Sequence, residues 1–190
     1  MNYINVSGST AKRRELAFNA AAWYIAQYMP RMRTLDIDIT LKNLGDDIYG
    51  YCTEGDNNRE FNLEINKTLD EFDLVSTVIH EMIHVKQYAR KELFQRVDGR
   101  TRWKSRWFAR YESLSYEDQP WEKEAHRLDV KLANQFFEEL NWEISSLGPA
   151  QAGLFFVQNE IFFIINMYKG NLLVYTIPIV NTQTKKRCAL

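Results

Sequence analysis

Cysteine, histidine and long apolar runs are all scarce in this 190-residue chain, and each scarcity closes off a class of protein. The two cysteines, Cys52 and Cys188, lie far apart and form neither a CxxC pair nor a disulfide framework, which suits a reducing compartment. The N-terminal stretch MNYINVSGSTAKRRELAF contains no apolar core of signal-peptide length. The most apolar run, LFFVQNEIFFIINMY at 154–168, is short for a membrane span and is broken by Gln158, Asn159 and Glu160. A net charge of -1 singles out no partner class. The chain is therefore expected to be soluble and cytoplasmic, with no membrane partner and no internal repeat. Its length suits one domain with at most a small appendage.

What is present reads as an α+β fold. Ser9 or Thr10 can cap a helix through AKRRELAFNAAAWYIAQYM, which Pro30 follows. TLDIDITL alternates strictly through Leu35, Ile37, Ile39 and Leu41 and predicts a half-buried strand; DDIYGYCTE and REFNLEIN predict two more. Short turns between them suggest an antiparallel three-stranded meander. Thr68-Leu-Asp-Glu71 has the form of a capping box, so a helix is expected from there to about Tyr88. Residues 90–119 show weak periodicity. Pro120 then opens a helix over PWEKEAHRLDVKLANQFFEEL, followed by a linker at 141–153. Two β-rich runs, at 155–168 and 172–180, suggest a C-terminal hairpin with Pro178 at an edge. The expected division is 1–144 as the main domain and 145–190 as a β-rich appendage.

Of three histidines, two fall in VIHEMIHVK. Residues four apart project from one helix face, so His80 and His84 can reach a single ion, with Glu81 about 100° round the helix. Two imidazole ligands beside a carboxylate base is the arrangement for activating water on a metal. The surrounding Val75, Val78, Ile79, Met82, Ile83 and Val85 make the helix apolar on most sides, hence buried. Burying the three polar groups without partners would be costly, and a cation removes that cost.

A third ligand is expected from PWEKEAHR, which offers Glu122, Glu124 and His126. With Trp121 at zero and about 100° per residue, Glu122 falls near 100°, inside the helix's apolar arc; Glu124 falls near -60°, outside it. Glu122 is thus preferred, with Glu124 and His126 left open. His126 and Asp129 share that side and can orient the ligand histidines.

HEMIH followed by PWEKEA resembles the gluzincin branch of the zincin metallopeptidases, and in size the chain is similar to small, phage-encoded SprT-like metallopeptidases. The resemblance spans roughly 35–138. It implies a zincin-like catalytic domain over 1–144, a Zn²⁺ ion on His80, His84 and Glu122, Glu81 as general base, and a peptide or protein substrate. An additional donor for the reacting oxygen is expected; Tyr111, Tyr116 and His126 are candidates. Lys86 departs from the pattern where zincins carry an apolar residue, and SprT proteins with a third histidine ligand keep His126 in view.

Residues 86–110 hold nine basic side chains against the acids Glu92 and Asp98, a local charge of +7, with Phe94, Trp103, Trp107 and Phe108 interleaved. Such a composition suits a nucleic-acid surface. It equally suits a solvated loop whose tryptophans dock on the core, and that is the reading preferred here. The resulting expectation is a zinc metallopeptidase, with a nucleic-acid-associated binding protein as the alternative. Oligomeric state is not readable.

Overall fold

A computed structural model describes residues 2–108, 114–146, 153–157, 160–168 and 171–177. The order of elements is β1 (Tyr3–Gly8), α1 (Ala11–Tyr28), β2 (Asp36–Lys42), β3 (Gly50–Glu54), β4 (Glu60–Asn66), α2 (Glu71–Ala89), β5 (Leu93–Gln95), β6 (Thr101–Trp103), β7 (Arg106–Phe108), a 3-10 turn at Tyr116–Asp118, α3 (Pro120–Ser146), β8 (Gly153–Val157), β9 (Glu160–Tyr168) and β10 (Asn171–Ile177). The class is α+β. The chain divides into two compact units, Met1–Asn134 and Gln135–Leu190.

In the first unit, the main sheet has the order β1-β2-β4-β3. β1 and β4 both run parallel to β2, and only β3 is antiparallel, to β4. This corrects the expected meander. Alternation reports which face of a strand is buried; it does not say which strand lies beside it. β1 carries the alternation at Ile4 and Val6, but too briefly to stand out, and α1 supplies the crossover that a parallel β1–β2 pair requires.

The core forms where the inward rows of the sheet meet the helices. Leu35, Ile37, Ile39 and Leu41 from the β2 segment, and Phe61, Leu63 and Ile65 from β4, are each at most 2 % exposed. Ala17, Ala20 and Ala21 of α1 are fully buried, so the small face of that helix lies against its neighbours. α2 packs against α1, β3 and β4, and fourteen of its nineteen residues are buried. Burial nearly all round follows from its composition.

α2 begins later than the capping-box reading placed it. Asp70 is the N-cap, and its carboxylate accepts from Asp73 N at 2.8 Å. Thr68 is unavailable for that role because its hydroxyl bonds the Asn66 side chain at 2.9 Å. At the other side of the helix, β3 approaches closely through Gly50. A Cβ there would meet Thr77 Cγ2 at 2.8 Å and Glu64 O at 3.0 Å, so only glycine lets the strand lie this near α2 one turn before His80.

The weakly periodic stretch after α2 is a small antiparallel sheet, β5-β6-β7, not a loop. Its strands are three residues long, too short to display alternation. α3 runs to Ser146, through part of the stretch read as a linker. In the second unit the expected hairpin is a three-stranded antiparallel sheet, β10-β9-β8, because the apolar run 154–168 contributes two strands. Pro178 and the tail beyond 182 lie outside the described residues. Among the described residues, no helix is long and apolar enough to cross a membrane.

Candidate metal centre

Three ligand-type atoms converge between α2 and the first turn of α3. His80 Nε2 lies 3.2 Å from His84 Nε2, and Glu122 Oε2 lies 3.4 Å from each. All three residues are buried, each 7 % exposed. His80 and His84 meet because they occupy successive turns of one helix face. Glu122 joins them because Pro120 opens α3 and Trp121, 3 % exposed, anchors that first turn in the core.

The outer nitrogens fix the chemistry of the inner ones. His80 Nδ1 donates to Asp129 Oδ2 at 3.0 Å, and His84 Nδ1 donates to Gln87 Oε1 at 2.9 Å. The Gln87 amide is oriented by its other end, where Nε2 donates to Trp121 O at 3.2 Å and to Glu124 Oε2 at 3.1 Å. Its oxygen must therefore face His84, and Nδ1 must carry the proton. In the neutral rings both Nε2 atoms then present lone pairs to the same point.

Three acceptors facing one another at this range need a cation or extra protons. Glu122 Oε2 is buried without a hydrogen-bond donor of acceptable geometry. Glu81, 4 % exposed, and Asp129, 8 % exposed, add further buried carboxyl groups. Burial opposes charge on His80, but the Asp129 and Glu122 carboxylates outweigh it and raise its pKa to about 10. The same contest raises His84, where Glu122 again prevails over burial. Burial works against ionisation of Glu122, yet the two imidazoles beside it pull its carboxyl well below the usual range. Burial lifts Glu81, and the neighbouring histidines only partly offset this. The two raised imidazoles and the lowered Glu122 carboxyl express one local demand for positive charge beside that carboxylate, whereas the Glu81 shift expresses its burial.

A divalent ion fits that demand. The edge of a tetrahedron with bonds of about 2.0–2.1 Å is about 3.3–3.4 Å, close to the sides of this triangle. His80, His84 and Glu122 thus form a group that can hold a metal ion.

The other sequence candidates that the structure describes are not part of the triangle. Glu124 turns away to Gln87 and to Lys104 Nζ, 3.0 Å from its Oε1. His126 is half exposed and stays outside the triangle; its ring lies 4.7 Å from that of His80, and its Nδ1 is 3.5 Å from Asp129 Oδ2. Those residues form a second cluster, His80–His126–Asp129, around the outer nitrogen of His80. Tyr116 packs edge-on to His126 at 5.8 Å and brings its phenol to the Glu122 carboxylate; burial first, and then that carboxylate, raise the phenol pKa. Tyr111 lies outside the described residues. Sequence reasoning missed Gln87, although its position three residues after His84 puts it on the same helix face.

The basic segment is built around the same helix turn. Trp103 and Phe108, on the inner face of the β5–β7 sheet, stand 6.4 Å and 6.1 Å from the Trp121 ring. On the outer face, Phe94, Arg102 and Trp107 form a row across the three strands. The Arg102 guanidinium lies 5.7 Å from the Phe94 ring and 5.9 Å from that of Trp107. No family model, curated protein or solved structure matches the chain.

Proposed function

We propose that the chain is a zinc-dependent metallopeptidase of the gluzincin type, similar to small SprT-like metallopeptidases. The observation that carries this reading is the triangle of His80 Nε2, His84 Nε2 and Glu122 Oε2, with sides of 3.2 Å and 3.4 Å. Two nitrogens and one carboxylate oxygen make three protein donors, the number that catalytic zinc takes, where structural zinc takes four. Zinc, when bound, supplies the positive charge that acidifies water near neutral pH and polarises a carbonyl.

The chain's own groups do the rest. His80 and His84 would hold the ion through Nε2, and Asp129 and Gln87 keep their rings from turning. Glu81, next to His80 and buried, takes the proton of the attacking water and passes it to the leaving amine. Its burial raises its basicity, as that task requires. His126, half exposed beside the triangle, is the side chain we assign to the reacting oxygen of the substrate.

The test is Glu81→Gln. It should keep the metal and lose hydrolysis of an unstructured protein such as casein. Retention of full activity would remove Glu81 as the base, and absence of hydrolysis by the metal-loaded wild type would remove the peptidase reading.

The Phe94–Arg102–Trp107 row favours a second reading, a nucleic-acid-associated protein. Phe94 and Trp107 are 44 % and 48 % exposed, and bases stack on such rings. Binding of single-stranded DNA that falls steeply with salt and is lost in Trp107→Ala would support it. Binding that is absent, or indifferent to that change, would remove it.

A further inference from the structure

His84 is held by a relay that ends on the protein surface. Its Nδ1 donates to Gln87 Oε1, Gln87 Nε2 donates to Glu124 Oε2, and Glu124 Oε1 receives Lys104 Nζ at 3.0 Å. Gln87 is fully buried, whereas the Lys104 side chain is 52 % exposed. Lys104 lies in the turn between β6 and β7, at φ 53°. That left-handed conformation favours glycine, so the turn keeps a lysine where backbone geometry alone would select another residue. Its ammonium also lies 4.6 Å from the Trp103 ring, on the strand that packs towards Trp121.

We propose that Gln87 is the positioning residue of the metal centre. It is clamped by Glu124 and Lys104, and it fixes the tautomer and ring orientation of His84 so that Nε2 faces the ion. The proposal rests on the metallopeptidase reading for the presence of that ion. Gln87 reaches neither the ion nor a substrate; it acts only through His84. Glu124, one of the sequence candidates for the third ligand, has this outer role instead. It accepts from the glutamine amide and is neutralised by Lys104 at 3.0 Å and, more distantly, by Lys86 at 4.0 Å. The β5–β7 sheet is thereby tied to the centre by a charged link as well as by the packing of Trp103 and Phe108 on Trp121.

The experiment measures zinc affinity by competition with a chromophoric chelator, and the visible absorption spectrum of the cobalt-substituted protein. Gln87→Leu keeps the volume but frees the His84 ring; zinc affinity falls about 10–100-fold and the cobalt spectrum changes. Gln87→Glu sets two carboxylates against each other and also weakens binding. The double variant Gln87→Glu/Glu124→Gln keeps the acceptor for His84 and returns a donor between the two side chains, and it recovers part of the loss, because the new carboxylate still faces Trp121 O. Lys104→Gly relieves the backbone while removing the ammonium, so melting temperature holds or rises while zinc affinity drops several-fold. A residue of merely structural role would move stability and affinity together. Wild-type affinity and spectrum in Gln87→Leu overturn the proposal. If that variant does not fold, unchanged affinity in Lys104→Gly overturns it. A wild-type chain that takes up no metal sinks the metallopeptidase reading and the relay with it. One zinc per chain with unaffected variants sinks the relay alone.

Discussion

α2 and the small sheet that follows it treat polar groups in opposite ways. On α2, His80, His84 and Gln87 are buried, and the outer nitrogen of each imidazole has an assigned acceptor on Asp129 or Gln87. On the β5–β7 sheet, Arg102 stacks between exposed rings and Asp98 pairs with Arg96 and Arg100 at the surface. Buried polar groups tolerate one arrangement, because each unpaired atom costs its full desolvation. Surface ion pairs are screened and replaceable. Substitution should therefore be severe and specific in the first region and mild in its effect on stability in the second.

The largest effect is expected at the ligands. His84→Ala removes one of two imidazoles and opens a hole at the centre; zinc uptake, measured by atomic absorption after dialysis, should fall from one per chain to none. Retention of a full equivalent would mean that the ion binds elsewhere. Next comes Glu81→Gln, with metal content unchanged and the hydrolysis rate down by about 10²–10⁴.

The scaffold beneath the site should respond through stability. Ile39→Ala, in a fully buried position of β2, should cost about 2–5 kcal/mol in urea unfolding. Gly50→Ala should lower the melting temperature as well, because the added methyl meets Thr77 Cγ2 and Glu64 O and pushes β3 from α2. An unchanged melting curve would show that the strand can withdraw at no cost.

The smallest effect is expected on the sheet. Arg100→Ala removes an exposed pair with Asp98 and should shift stability by less than about 1 kcal/mol. A large loss there would erase the contrast between the two regions.

The same contrast explains what could be read in advance. A nineteen-residue helix repeats its pattern over five turns, and HEMIH inside it fixes both imidazoles on one face. Asp129 was legible for a related reason: seven residues after Glu122, it returns to nearly the same side of α3. The buried rows of β2 and β4 were visible as alternation from Leu35 to Leu41 and from Phe61 to Ile65. Their parallel pairing was not, since neighbour order depends on where the chain goes between strands. The three-residue strands of the small sheet offer no period at all. Gln87 shares a helix face with His84, but its other partners, Trp121 O and Glu124, come from another helix, and contacts between elements leave no local signal.

The central claim is that two imidazoles and the Glu122 carboxylate share one ion. The most direct measurement is the zinc content of purified wild type, Glu122→Ala and His126→Ala after exhaustive dialysis. One equivalent in the wild type and in His126→Ala, with none in Glu122→Ala, is the predicted result. A full equivalent in Glu122→Ala, or its loss in His126→Ala alone, would contradict it.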